Sequence, residues 1–106
     1  MATVAVTEAS FEAEVLGASL PVVVDFTAAW CGPCHAIAPS LEAISEELAG
    51  KVKIVKLDVD VDPAISTRYG VRSMPTLMVF KNGEPTAMQV GAVPKSRLSD
   101  WIKSAI

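Results

Sequence analysis

The run Val22-Val23-Val24-Asp25-Phe26-Thr27, opened by Pro21, is the strongest constraint on what this chain can fold into. β-Branched side chains pack well on a pleated surface and are crowded in a helix. A strand with one wet face alternates apolar and polar residues, and this run does not. Both of its faces are therefore predicted to be buried, as in the middle of a sheet with helices above and below. A second near-continuous run over residues 52–59 (VKIVKLDV) predicts another buried strand.

The elements around these strands follow from local signals. Residues 3–6 predict a short edge strand. Thr7 is the expected N-cap of a helix that carries Phe11, Val15 and Leu16 and stops at Gly17. Over residues 31–48, Ile37, Leu41, Ile44 and Leu48 recur at helical spacing, with Pro39 expected to kink the helix. Asp62-Pro63 is a cap and first-turn pair for a short helix through Tyr69, with Gly70 as its stop. Residues 76–91 read as a hairpin whose Asn82-Gly83 pair suits a type I′ turn. A final amphipathic helix over residues 94–105 is expected to bury Leu98, Trp101 and Ile102. The order βαβαβαββα predicts an α/β fold: a central mixed sheet of parallel strands plus a C-terminal antiparallel hairpin, flanked by helices on both faces.

At 106 residues the chain is expected to form one domain over residues 1–106, large enough for a real core. Its net charge of −3 argues against general attraction to nucleic acid or an anionic membrane. No window approaches the ~20 apolar residues of a membrane span. The segment MATVAVTEAS lacks a basic region followed by an apolar run, so no secretory signal and a cytoplasmic location are expected.

Both cysteines lie in one stretch, WCGPCHA, at residues 30–36. A Cys31–Cys34 bridge would close a tiny loop, which removes little unfolded-state entropy and so stabilises little. Such a bridge is expected to be there to be broken. The letters Cys31-Gly32-Pro33-Cys34-His35 also spell the attachment site of a c-type haem. That reading needs a domain that wraps a porphyrin, whereas the pattern here implies a sheet whose core is already filled. Structural zinc wants four ligands, and only Cys31, Cys34 and His35 cluster. The series Asp58, Asp60, Asp62 hints at calcium, but Pro63 and Tyr69 stand where the loop needs Gly and Glu. The dithiol reading fits its setting better. Cys31 falls where a buried strand hands over to a helix, and unpaired N–H groups and the helix dipole favour a thiolate there. Cys34, one turn further in, is expected to be less exposed, so that an exposed thiolate attacks and a shielded thiol resolves. Pro33 sits where its missing N–H costs little.

The segments VVVDFTAAWCGPC, IVKLDVD, YGVRSMPTLMVFKNG and VGAV, in this order, resemble the thioredoxin family over nearly the whole chain. W-C-G-P-C sets the chain apart from protein disulfide isomerase domains, which it resembles only in fold. The resemblance implies a protein-disulfide reductase with no cofactor of its own, drawing electrons from NADPH through a thioredoxin reductase and passing them to disulfide-containing cytosolic proteins. Cys31 matches the nucleophile and Cys34 the resolving cysteine. Trp30, with Gly32 and Pro33, matches the docking surface, and Pro75 matches a cis-proline facing the dithiol. A monomer is expected.

Several residues carry two readings. Asp25 is either a strand-end carboxylate reaching solvent or a buried one, raised in pKa by desolvation and able to take the proton of Cys34; the resemblance implies the second. Lys56 is either a snorkelling surface lysine or the partner that tunes Asp25, and we take it as the partner. Met74-Pro75 either simply starts a strand or, if cis as the resemblance implies, leaves the Met74 backbone free to pair with an extended substrate. Gly91 and Ala92 are small either for turn chemistry or to leave room for that substrate. His35 could tune Cys31, but two charges ~4 Å apart in water interact by only ~1 kcal/mol, which favours a solvated first-turn residue. The family commonly has an aromatic where Thr27 stands and a lysine where His35 stands. A non-enzymatic alternative is a binding module using the same groove, which would survive loss of both cysteines.

Overall fold

The computed structural model describes residues 3–106. The elements run β1 (Val4–Ala5), α1 (Glu8–Phe11), β2 (Val22–Thr27), α2 (Gly32–Glu47), β3 (Lys53–Asp58), α3 (Pro63–Arg68), β4 (Thr76–Lys81), β5 (Glu84–Val90) and α4 (Lys95–Ala105). Among the described residues the strands form one sheet in the order β1-β3-β2-β4-β5. β2 is parallel to β3, β3 is parallel to β1, and β2–β4 and β4–β5 are antiparallel. This is the expected mixed sheet, with the valine-rich strand at its centre.

Two cores explain why β2 is apolar on both sides. Val22, Val24 and Phe26 join Phe11, Val15 and Ile65 on one face. Val23 joins Ile37, Leu41 and Ile44 of α2 and Leu98 and Ile102 of α4 on the other. Side chains alternate along a strand, so Asp25 and Thr27 share the face of Val23 and lie under α2. The parallel register pairs Asp25 with Lys56 and Thr27 with Asp58. By the same alternation Lys56 and Asp58 stand on that face as well. Four polar side chains thus meet at the ends of two strands, where the first turns of α2 cover them.

Most local signals are realised, with instructive departures. Thr7 caps α1 in a reciprocal capping box with Ser10. The helix then widens into a π turn over Glu12–Leu16, closed by the Gly17 N–H donating to the Glu12 carbonyl at 2.8 Å. Pro39 lies inside α2. Asp62 occupies the N-cap position of α3 but makes no side-chain cap there. Its Oδ1 instead accepts from the Glu8 N–H at 3.1 Å, tying α3 to the start of α1. Trp101 is half-buried against the second core rather than inside it. Asn82 (φ 54°) and Gly83 (φ 80°) both take the left-handed backbone that a type I′ turn requires.

Gly83 carries a second restraint, because a Cβ there would lie 3.2 Å from the Leu16 carbonyl oxygen. At Gly50, also left-handed with φ +83°, a Cβ would meet nothing within 4 Å. Left-handed backbone costs a residue with a Cβ on the order of 1 kcal/mol. Gly50→Ala should therefore lose about that much stability, and Gly83→Ala clearly more, in denaturant unfolding of the two variants. Equal losses would show that the β4–β5 turn does not press on the end of the first helix.

Candidate active site at the start of α2

Cys31 is the N-cap residue of the 16-residue helix α2, with extended backbone angles (φ −88°, ψ 105°). Pro33 sits in the first turn, where no backbone donor is needed. Cys31 and Cys34 are joined by a disulfide with their Cα atoms 5.3 Å apart. The Cys34 N–H donates to Cys31 Sγ at 3.2 Å, so the sulfur takes the place that a Ser or Asp oxygen takes at other helix starts. An N-cap sulfur that accepts a backbone N–H and faces the positive end of a helix is stabilised as a thiolate.

The expected difference in exposure between the two cysteines is not seen. Cys31 is 2% exposed and Cys34 3%. In this bonded state Cys31 Sγ lies against the first turn of α2, accepting from the Cys34 N–H. Gly32 and Pro33 remain exposed above the sulfurs.

Around the dithiol, Trp30 is 68% exposed. Its indole is held at the edge, with Nε1 donating to Asp60 Oδ2 at 2.7 Å. Asp58 Oδ1 in turn accepts from the backbone of Asp60 (2.9 Å) and Val61 (3.1 Å), which fixes that loop. Asp58, Asp60 and Asp62 are thus each engaged as local acceptors, and no cluster of three metal-ligating side chains occurs among the described residues. The Met74–Pro75 peptide bond is cis. Pro75 is buried, Met74 is half-buried, and the Gly91 N–H donates to the Pro75 carbonyl at 2.9 Å. Gly91 is half-buried and Ala92 exposed.

Asp25 is 2% exposed, and its Oδ1 has no hydrogen-bond partner. Burial pushes its pKa up from 3.8 to about 6, against the opposing pull of the Lys56 ammonium. Asp25, Thr27, Cys34, His35, Lys56 and Asp58 line one pocket of about 220 Å³. Small side chains, Ala28, Ala29 and Ala38, form the rest of its wall. Lys56 Nζ is 3.8 Å from Glu42 Oε2 further along α2. Glu42 also accepts from the Thr3 hydroxyl, which holds its carboxyl below the usual carboxylate range, with Lys56 adding to that effect. Lys56 is therefore shared between a buried carboxylate and a half-buried one. The His35 ring turns back to the loop before Cys31, with Nε2 against the Ala29 carbonyl at 2.7 Å.

The sequence points to the dithiol, Asp25, Lys56 and the docking residues, but not to the pocket that connects several of them. Its signals were present in the strand register: Thr27 opposite Asp58, and alanines at positions 28, 29 and 38. Val61, 73% exposed just beyond Asp60, was not singled out either.

Among the described residues, no helix is long and apolar enough to cross a membrane. A family model described as Thioredoxin matches residues 2–104. A thioredoxin of Rickettsia felis is 50% identical over 101 residues, covering 95% of this chain and 96% of that protein. A thioredoxin of Synechocystis sp. is 51% identical over 102 residues, covering 96% and 95%. A thioredoxin of Porphyra purpurea is 50% identical over 101 residues, covering 95% and 94%. With a Cys-Gly-Pro-Cys bridge at a helix N-cap, a central-strand carboxylate beneath that helix and likeness along almost its full length, the chain belongs to the thioredoxin family of thiol–disulfide oxidoreductases.

Proposed function

We propose that this protein reduces disulfides in other proteins, with Cys31 as the attacking thiolate and Cys34 as the resolving thiol. The observation that carries the assignment is the Cys34 N–H donating to Cys31 Sγ at the helix N-cap, an interaction that favours negative charge on Cys31 alone. In the first step Cys31 S⁻ attacks a target disulfide, forming a mixed disulfide and expelling one target thiolate. In the second, Cys34 gives its proton to the Asp25 carboxylate and its sulfur attacks Cys31 Sγ. The second target thiolate leaves, and the protein is left with the Cys31–Cys34 disulfide: two electrons have passed to the target.

Asp25 suits that proton because desolvation makes its carboxylate a stronger base than an exposed one, and its Oδ1 has no competing donor. Lys56, across the strand pair, limits how far the carboxylate is pushed up. Trp30, Gly32, Pro33, Met74, Pro75, Gly91 and Ala92 form the docking surface in this reading. Support comes from three local features: an indole pinned by Asp60, an exposed helix start, and the Gly91 N–H bonded to the Pro75 carbonyl. The electron donor is a thioredoxin reductase drawing on NADPH, the acceptors are cytoplasmic proteins with accessible disulfides, and the protein works as a single-domain monomer. Reduction of insulin disulfides, driven by NADPH and a thioredoxin reductase, tests the whole reading. Activity that persists in a double Cys31→Ser, Cys34→Ser variant would contradict it and favour a binding module.

The two cysteines should fail differently. Cys31→Ser should form no adduct with a peptide disulfide, whereas Cys34→Ser should attack and stop as a covalent mixed disulfide, seen by intact-protein mass spectrometry. An adduct that accumulates on Cys34 in the Cys31→Ser variant would reverse the roles.

Asp25 should also cost stability in a pH-dependent way. Its folded pKa is raised above the unfolded value, so below about pH 3.8 both states are protonated and no penalty exists. The penalty grows as pH rises and is complete above about 6. A shift of roughly two units corresponds to about 3 kcal/mol. Asp25→Asn should stabilise the oxidised protein by up to that amount at pH 7.5 and by less than about 1 kcal/mol at pH 4, in denaturant titrations of both proteins. A gain that does not change with pH would mean that the carboxylate ionises as if exposed.

A further inference from the structure

We propose that Glu42, on α2, is a positioning residue that draws the Lys56 ammonium off Asp25 and leaves that carboxylate unpaired for the Cys34 proton. The inference deepens the reading of Asp25 as proton acceptor and rests on it. Lys56 stands directly beside Asp25 in the parallel register of β2 and β3, strands that run about 4.8 Å apart. Both side chains line the same pocket. A cation so placed has a buried carboxylate as its nearest natural partner. Yet among the described residues the ion pair that Lys56 makes is with Glu42, Nζ to Oε2 at 3.8 Å, and Asp25 Oδ1 has no hydrogen-bond partner. Two features let Glu42 win the ammonium. Its carboxylate is held in place: Oε1 accepts from the Thr3 N–H at 3.3 Å and Oε2 from the Thr3 hydroxyl, and Thr3 is itself buried. It is also half-buried where Asp25 is 2% exposed, so the ammonium reaches it without being stripped of water. The Thr3 hydroxyl bond above all keeps the Glu42 carboxyl below the usual range, so Glu42 is ionised wherever Asp25 titrates.

The other groups around this pair are otherwise engaged or apolar. On β3, Asp58 accepts from the backbone of Asp60 and Val61. On α2, Cys34 is the thiol to be deprotonated, and the His35 ring is turned to the Ala29 carbonyl. β4 sets Leu77 beside Asp25, α4 brings Leu98 and Ile102 to this face, and β1 sets Ala5 beside Lys56. Glu42 is thus the acidic side chain paired with Lys56. An ammonium seated on Asp25 would occupy its lone pairs and make it a weaker base. With Lys56 held toward Glu42, the ammonium still acts on Asp25 through space, but burial outweighs that pull. The Cys34 S–H then gives its proton to a carboxylate with no ion pair to break.

The test is the titration midpoint of the Asp25 carboxyl carbon, followed by NMR in the oxidised protein and in three variants. Glu42→Gln keeps the size of the side chain and an acceptor for Thr3, but removes the charge that holds Lys56. It should lower the Asp25 midpoint by about half a unit, the change expected when an ammonium moves roughly 2 Å closer at an effective dielectric of about 20. Lys56→Met should raise the midpoint. Glu42→Gln added to Lys56→Met should then change nothing further, because Glu42 acts only through the ammonium. A midpoint that stays or rises in Glu42→Gln would overturn the proposal. So would an equal fall with and without Lys56, which would mean that Glu42 acts by its own field or by admitting water to Asp25. The pH profile of the resolution phase, in single turnover of the reduced protein with a peptide disulfide, separates this inference from the reading beneath it. In Glu42→Gln that profile should move down with the midpoint, while the attack phase is unchanged. If the midpoint falls and the profile stays, Glu42 positions Lys56 but Asp25 is not the acceptor of the Cys34 proton.

Discussion

Burial of β2 on both faces is the constraint from which the rest of this structure follows. A strand that packs against two cores must be apolar along its length, and the only charge it carries, Asp25, is then cut off from water. Desolving a carboxylate disfavours its charged form, and nothing nearby donates to its Oδ1. The fold thereby holds a carboxyl group whose pKa lies near 6 directly under the helix that carries the second cysteine. In an exposed strand the same residue would be an ordinary surface aspartate.

The same architecture places the dithiol. β2 ends at Thr27, and after four intervening residues α2 begins at Gly32, so Cys31 falls on the N-cap. A sulfur at that position accepts a backbone N–H that the helix cannot otherwise satisfy. The two cysteines therefore meet different fields although they are equally buried when bonded to each other. One faces a helix N-terminus and the other shares a pocket with a buried carboxylate. In the bonded state the two cysteines differ in the field each meets and hardly at all in exposure.

Much of this was legible in the sequence because it depends on residues close together in the chain. The unbroken valine run, the cap at Thr7, the Asn82-Gly83 turn and the C-G-P-C spacing each act locally, and the fold uses all of them. What escaped depends on register between distant segments. Asp62 stands at the start of one helix, yet its side chain accepts from Glu8 at the start of another, a contact between segments far apart in the chain. The near-equal burial of the two bonded cysteines is something no spacing rule reports. The pocket exists because Thr27, Asp58 and Ala38 come from a strand, its neighbour and a helix, and none of the three is unusual in its own segment. The π turn over Glu12–Leu16 has no marker in residue pattern at all.

The central claim is that the carboxyl of Asp25 is buried and still titrates within reach of neutral pH. It is tested most directly by following the Asp25 side-chain carboxyl carbon by NMR through a pH titration of the oxidised protein. The account predicts a midpoint near 6 for Asp25. A midpoint near 3.8 for Asp25 would show a carboxylate that water reaches freely, and would contradict both its burial and the role proposed for it.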